Sequence, residues 1–582
     1  MNRKQRRAAQ KQPQFTGARH AAAAVDTAAL LERAIEHDNR GELGAAAHLY
    51  KKLLALDPRN AAACNNLGLV YLAQEKPAKA SAQFAQVAGL APQTLDQFGE
   101  VVETLKLLKP ALADALKTAS DAWPKILPPE ELLGADGITA LADDPYLQTV
   151  LASTVVRDVA FERLLTSLRA AILRDVLDNK SSADEDLFNF CAALAQQCFI
   201  NEYVFAVTPE ELDLVERLKT SAESGDFADP LPLLALAMYV PLYSLNGAQA
   251  LSEHPWPTPV AAVVRQQISE PREEKKLNEA LARLTPISGD VTSAVRQQYE
   301  ENPYPRWVGL TAMARPVALT DHIRQQFPAA SFRPVGDGDN LDILVAGCGT
   351  GRHALELAQS YHGARVLAID LSLASLACAK RKTPPALAGK IEFAQADILA
   401  LGSIGRTFDF INAGGVFHHM ADPLAGWRAL IALMRPDGVM QVGLYSELAR
   451  KEIVAAREMI AERGYRPTAE DIRRCRQDLL QDSVTSEVFS RMNDFYSISA
   501  CRDLLFHVHE RRLSIPAIKA FLAEHNLKFI GFEFSPQEAH LHYRSAFAAA
   551  GWSLADLDRW HAYERENPKT FAGMYNFWTQ KN

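Results

Sequence analysis

Three glycines set close together behind an apolar run are the first residues whose spacing suggests chemistry. In "VAGCGTGRHALELA", residues 345–358, Gly347, Gly349 and Gly351 stand between a strand-like "LDILVA" and a helix-like "RHALELAQSY". Glycines let the chain turn sharply and let a ligand approach the backbone, and the helix behind them offers free N–H groups. Two common uses of such a loop are excluded. A nicotinamide fingerprint wants a third glycine where Arg352 stands, and no Gly-Lys-Ser/Thr exists for a kinase-type phosphate loop. Two further stretches are dense in reactive types: the aromatic "YEENPYPRW" at 299–307, and a segment holding Asp494, Tyr496, Arg502, Asp503, His507, His509 and Glu510.

The elements that position these residues follow from the pattern after residue 341. Short apolar runs alternate with helical stretches, which predicts βαβ units and a parallel sheet. "LDILVA" is a buried strand, and "ARVLAID" is the next, ending at Asp370.

This arrangement resembles the class I S-adenosylmethionine-dependent methyltransferases. Gly-x-Gly-x-Gly after a strand is similar to their first motif, and the later segments match in order: "IEFAQADILAL", "FDFINAGGVFHHMADP", and "GWRALIALMRPDGVMQVGLYS" with its turn at Pro436-Asp437-Gly438. The match is strong over residues 295–446, and "IPAIKAFLAEHNLKFIGFEF" and "FAGMYNFWTQK" look like a further helix, a strand and an antiparallel last strand. The resemblance implies an α/β Rossmann-like methyltransferase domain and S-adenosyl-L-methionine as cofactor. By the same resemblance Ala346, Gly347, Cys348, Gly349 and Gly351 form the cofactor loop. Asp370 with Leu371 faces the ribose hydroxyls, Asp397 with Ile398 the adenine, and Ala413 and Gly414 line the fourth-strand loop. One departure stands out: the family often carries an acid where this chain has Val345.

Methyl transfer is an in-line displacement, helped by positioning, and it needs a base only when the nucleophile carries a proton. Candidate bases are His419 and His418, past the fourth strand, and Tyr304 in the aromatic flap is a third catalytic candidate. Tyr299, Arg306, Tyr445, Tyr496, Arg502 and His507 are candidate substrate contacts. His507, His509 and Glu510 have no evident partner to complete a metal site, so no metal is expected. The insert 447–513 reads as a helical lid inside the methyltransferase domain at 291–582. The fourth-strand loop reads Asn412-Ala413-Gly414-Gly415, not the Asn/Asp-Pro-Pro-Tyr of adenine amino methylases, and no Pro-Cys pair exists. Nucleic acid is therefore disfavoured.

The front of the chain is different in kind. Pro58 and Pro92 lie 34 residues apart, with Leu67, Gly68, Tyr71, Ala80 and Phe84 between them, which is the spacing of the tetratricopeptide (TPR) pattern. Ala34, Ala46 and Tyr50 form a degenerate copy one period earlier. We expect a basic tail at 1–25, TPR-like helical repeats at 26–110 that offer a groove to a protein partner, and a helical domain at 111–290. The first 20 residues carry six Lys/Arg and no acid, yet the net charge of the chain is −8. Seven scattered cysteines without a Cys-x-x-Cys pair, no signal peptide and no membrane span read as a cytoplasmic protein. Two functions remain open: a methyltransferase acting on a protein or on a small-molecule or glycan acceptor, and a TPR scaffold with a degenerate, cofactor-sensing Rossmann domain.

Overall fold

The computed structural model describes residues 21–178, 185–223, 229–311, 315–336, 340–534 and 543–581, and the basic tail at 1–20 lies outside the described residues. The chain divides into two compact units. One comprises 1–272, 307–314 and 473–498; the other comprises 273–306, 315–472 and 499–582. This differs from the expected layout in three places, one of them the short segment 307–314, which falls in the helical unit. The second unit begins before 291, and the middle of the 447–513 insert joins the helical unit.

The helical unit opens with hairpins of helices Ala21–Arg40, Leu43–Leu56, Ala61–Ala73 and Pro77–Leu90. The small-against-large spacing seen in the sequence has a packing reason. A Cβ on Gly68 would lie 2.7 Å from the Phe84 ring, so only glycine lets those two helices close up. Residues 473–498 are held in this unit by a buried ion pair. Arg476 donates to both carboxylate oxygens of Glu162, at 3.0 and 2.7 Å, and to the carbonyls of Phe495 and Val204. Removing one partner of a buried pair leaves an uncompensated charge. Glu162→Ala is therefore expected to destabilise this unit by roughly 3–5 kcal/mol, read as a lowered unfolding midpoint in urea.

The second unit is built on one sheet of eight strands: β1 (Ala282–Arg283), β2 (Leu341–Ala346), β3 (Ala364–Asp370), β4 (Ile391–Gln395), β5 (Phe408–Gly414), β6 (Met434–Leu444), β7 (Leu527–Phe532) and β8 (Tyr575–Lys581). Their order is β1-β4-β3-β2-β5-β6-β8-β7, parallel except at β8, which runs antiparallel to both neighbours. Five of the six residues of β2 are buried, as expected of a central strand covered on both faces. The expected turn at 436–438 is an irregularity within β6, where the register with β5 shifts and Asp437 adopts φ +63°. The strand order reverses between β2 and β5. In open α/β sheets the crevice beyond the strand ends at such a point is where ligands bind. No helix among the described residues is long and apolar enough to cross a membrane.

Candidate active site

The glycine loop leaves β2 at one side of the switch point. Gly347, Gly349 and Gly351 have φ of +70°, +52° and +85°, a region that L side chains avoid. A Cβ on Gly349 would collide with the Tyr304 carbonyl. That carbonyl accepts from Thr350 N at 3.2 Å, and the Thr350 hydroxyl donates to Pro305 O at 2.5 Å. The "NPYPRW" segment is thus laced to the glycine loop. Glu300, just ahead of it, accepts from Leu373 N and Ala374 N at the start of the helix Leu373–Arg381. Asp370 joins the same network, accepting from Gly349 N at 2.8 Å and Ser372 N at 2.9 Å. Burial raises its pKa, against these two N–H groups. A carboxylate has about four lone-pair positions, so two remain for hydroxyl donors. Asp397 accepts from Leu399 N at 2.9 Å with one oxygen, which leaves the other. These donor and acceptor counts fit an adenosine with a ribose on Asp370 and an amino group near Asp397.

Across the switch point, the loop after β5 carries His418 and His419, and here a polar cluster assembles. His419 Nδ1 lies 3.1 Å from the His509 carbonyl. A carbonyl only accepts, so Nδ1 carries the proton and Nε2 keeps its lone pair. Among the described residues nothing hydrogen-bonds that Nε2. His507 is in the opposite state. Its Nδ1 accepts from His509 N–H at 3.0 Å, so Nε2 carries the proton and donates to the Tyr299 hydroxyl at 3.2 Å. Tyr299 in turn donates to Asp503 Oδ1 at 2.6 Å. One backbone unit, His509, therefore sorts two histidines into opposite tautomers.

Burial keeps both imidazoles neutral. It lowers the His419 pKa to about 4, and burial with the neighbouring His419 and Arg457 lowers that of His507 to about 2. Burial raises the Asp503 carboxyl to about 6 despite the Tyr299 hydrogen bond and Arg450. Behind the cluster, Arg450 donates to Glu510 at 2.6 Å and Arg457 to the His507 carbonyl at 2.6 Å.

A nitrogen from each of His419 and His507 and an oxygen of Asp503 lie within 4.8 Å of one another, a grouping a metal ion could use. The ring geometry opposes it. The two imidazoles stack face to face, centroids 3.6 Å apart at 18°, so their in-plane lone pairs do not converge on one point. The Nε2 of His507 also carries its proton.

The other expected residues divide clearly. Tyr299, His507 and His419 come together, and Tyr445 joins them through His418, whose ring stacks on it at 3.7 Å. His418, the other expected base, is fully buried with both ring nitrogens unpartnered and its ring packed on Tyr445. Arg502 is occupied by Glu301 and Asn302 at 2.7 and 2.5 Å. Arg306 lies electrostatically beside Lys382 and Cys378 at the far end of their helix. Tyr496 belongs to the helical unit, where its hydroxyl donates to Ser490 O. Glu300, which caps a helix behind the cofactor loop, was not anticipated; its place inside "YEENPYPRW" was the available signal.

A Rossmann-like sheet with this loop, these acids and this strand order defines a class I methyltransferase fold, and residues 343–438 match the family model described as "Methyltransferase domain". The chain thus carries a methyltransferase domain, with S-adenosyl-L-methionine as its cofactor. It is 28% identical over 263 residues to an uncharacterized protein of Synechococcus sp., covering 42% of this chain and 60% of that one. It is 37% identical over 102 residues to a ubiquinone biosynthesis O-methyltransferase of Methylocella silvestris, covering 18% of this chain and 39% of that one. Among solved structures, PKMT2 from Rickettsia typhi aligns with TM-score 0.35 and 15% identity over 45% of this chain and 52% of that one. The chain thus spans less than two thirds of these relatives.

Proposed function

We propose that this chain transfers a methyl group from S-adenosyl-L-methionine to an acceptor held against His419, as an enzyme of the one-carbon transferase class. The observation that carries the reading is the open Nε2 of His419, set across the switch point from the glycine loop, Asp370 and Asp397. When bound, the cofactor supplies a methyl group on a positively charged sulfur. The chain's own residues then have separate tasks. The glycine loop and Asp370 hold the sugar, Asp397 holds the base, and His419 accepts a hydrogen from the acceptor. Tyr299, Tyr445 and His507 wall the acceptor pocket. Tyr304 lends its backbone to the loop, and its phenol is a further candidate beside Tyr299.

The helical hairpins at 21–90 support a TPR-type surface for a protein partner, so the acceptor is a protein segment or a small molecule. The seven cysteines are all buried and none is in a disulfide among the described residues, which supports residence in a reducing, cytoplasmic compartment. The stacked imidazoles support a reaction without a metal.

The test is transfer of labelled methyl from S-adenosylmethionine into cell extract, with and without EDTA. Label should be incorporated at rates that agree within about twofold in the two arms, since no step requires an ion at the His419–Asp503–His507 group. Cofactor binding without any incorporation would favour the scaffold reading.

A further inference from the structure

The acceptor wall shows what its ligand must offer. Two hydrogen-bond acceptors lie open there. The Nε2 of His419 has a lone pair and no partner among the described residues, because the His509 carbonyl takes its other nitrogen. Asp503 is buried, yet only Oδ1 is engaged, by Tyr299. Nitrogen and oxygen atoms of these two side chains lie within 4.8 Å of each other. The donors of Tyr299, His507 and His419 are already spent: His507 Nε2–H on Tyr299, Tyr299 O–H on Asp503, and His419 Nδ1–H on the His509 carbonyl. Two open acceptors beside the spent donors of Tyr299, His507 and His419 match a group with at least two hydrogens on its nucleophilic atom. A hydroxyl has one and would leave a buried carboxylate oxygen unmatched, which is costly. A primary amine has two and still presents its lone pair.

We propose, on the methyl-transfer reading above, that the acceptor is a primary amine, with one N–H on His419 Nε2 and the other on the free oxygen of Asp503. Charge fits this use. Arg450, Arg457 and Arg512 face Glu510 and Asp503, three positive charges against two negative, so the wall does not trap an ammonium, whose extra proton would block its lone pair. In the transfer, the N–C bond forms as the C–S bond breaks with its electron pair left on sulfur, and the proton shed by nitrogen passes to His419 Nε2 while the Asp503 carboxylate holds the other N–H. Asp503 and His419 are then the two catalytic residues on the acceptor side.

Two measurements test this. In saturation-transfer NMR on the full chain at pH 8, 2,2,2-trifluoroethylamine, a primary amine that is neutral at that pH, should give signals that fall at least fivefold in Asp503→Asn and in His419→Ala, while 2,2,2-trifluoroethanol gives weaker signals indifferent to both. Equal signals from the alcohol, or amine signals unchanged in both variants, would overturn the proposal. In the labelled-methyl assay, acetylating the primary amines of the extract beforehand should remove at least nine tenths of the incorporation. Incorporation that survives acetylation would overturn the amine while leaving methyl transfer standing. Absence of incorporation into untreated extract would overturn methyl transfer and the amine with it.

Discussion

Asp370→Ala abolishes S-adenosylmethionine binding in calorimetric titration: this is the largest effect we expect from a single substitution. The carboxylate has two duties. Toward the ligand it offers the lone pairs left over after Gly349 N and Ser372 N are satisfied. Hydrogen bonds to a charged group contribute about 1.5–3 kcal/mol each, so losing two costs affinity by a factor of roughly a hundred to ten thousand. Toward the protein, Asp370 pins the glycine loop through Gly349, whose φ of +52° is otherwise unsupported at that end. Both losses act in the same direction. The unfolding midpoint should fall too, because Gly349 N and Ser372 N both lose their acceptor. Retained affinity in Asp370→Ala would remove the ribose assignment.

The second large effect separates binding from turnover. His419→Ala should leave cofactor affinity within about threefold and slow methyl transfer by roughly 10²–10⁴, the range that a positioned proton acceptor contributes. The argument is geometric. His419 lies across the switch point from the glycine loop, and its Nδ1 is committed to the His509 carbonyl, so Nε2 is the working atom. With a pKa near 4 the ring is neutral across the physiological range, so that lone pair is always available. An equal loss of affinity and turnover would mean that His419 merely packs against the cofactor, as its neighbour His418 packs against Tyr445.

Much of this site could be read before any coordinates. The glycine loop, Asp370 and Asp397 sit at strand ends, and a strand end is visible as the last residue of an apolar run. His419 stands just past such a strand end. What could not be read depends on contacts distant in sequence. Tyr299 and Asp503 are separated by 204 positions, and no local pattern reports that their oxygens lie 2.6 Å apart. Residues 473–498 have ordinary helical periodicity, and only the pairing of Arg476 with Glu162 assigns them to the helical unit. Arg502 and Tyr496 were reasonable by residue type, but Glu301 and Asn302 occupy the first and the helical unit holds the second. The two-residue strand β1 at Ala282–Arg283 is too short to leave a period. The irregularity in β6 reads as a turn because Pro, Asp and Gly favour one wherever they occur.

The N–H and C=O of His509 decide which nitrogen of His507 and of His419 holds a proton. Every residue except proline carries that same N–H, and every residue carries the C=O. The instruction that makes one imidazole a giver and the other a taker is therefore written in the path of the main chain, not in a side chain. Any residue but proline at position 509 supplies the same two groups and so keeps the same proton arrangement.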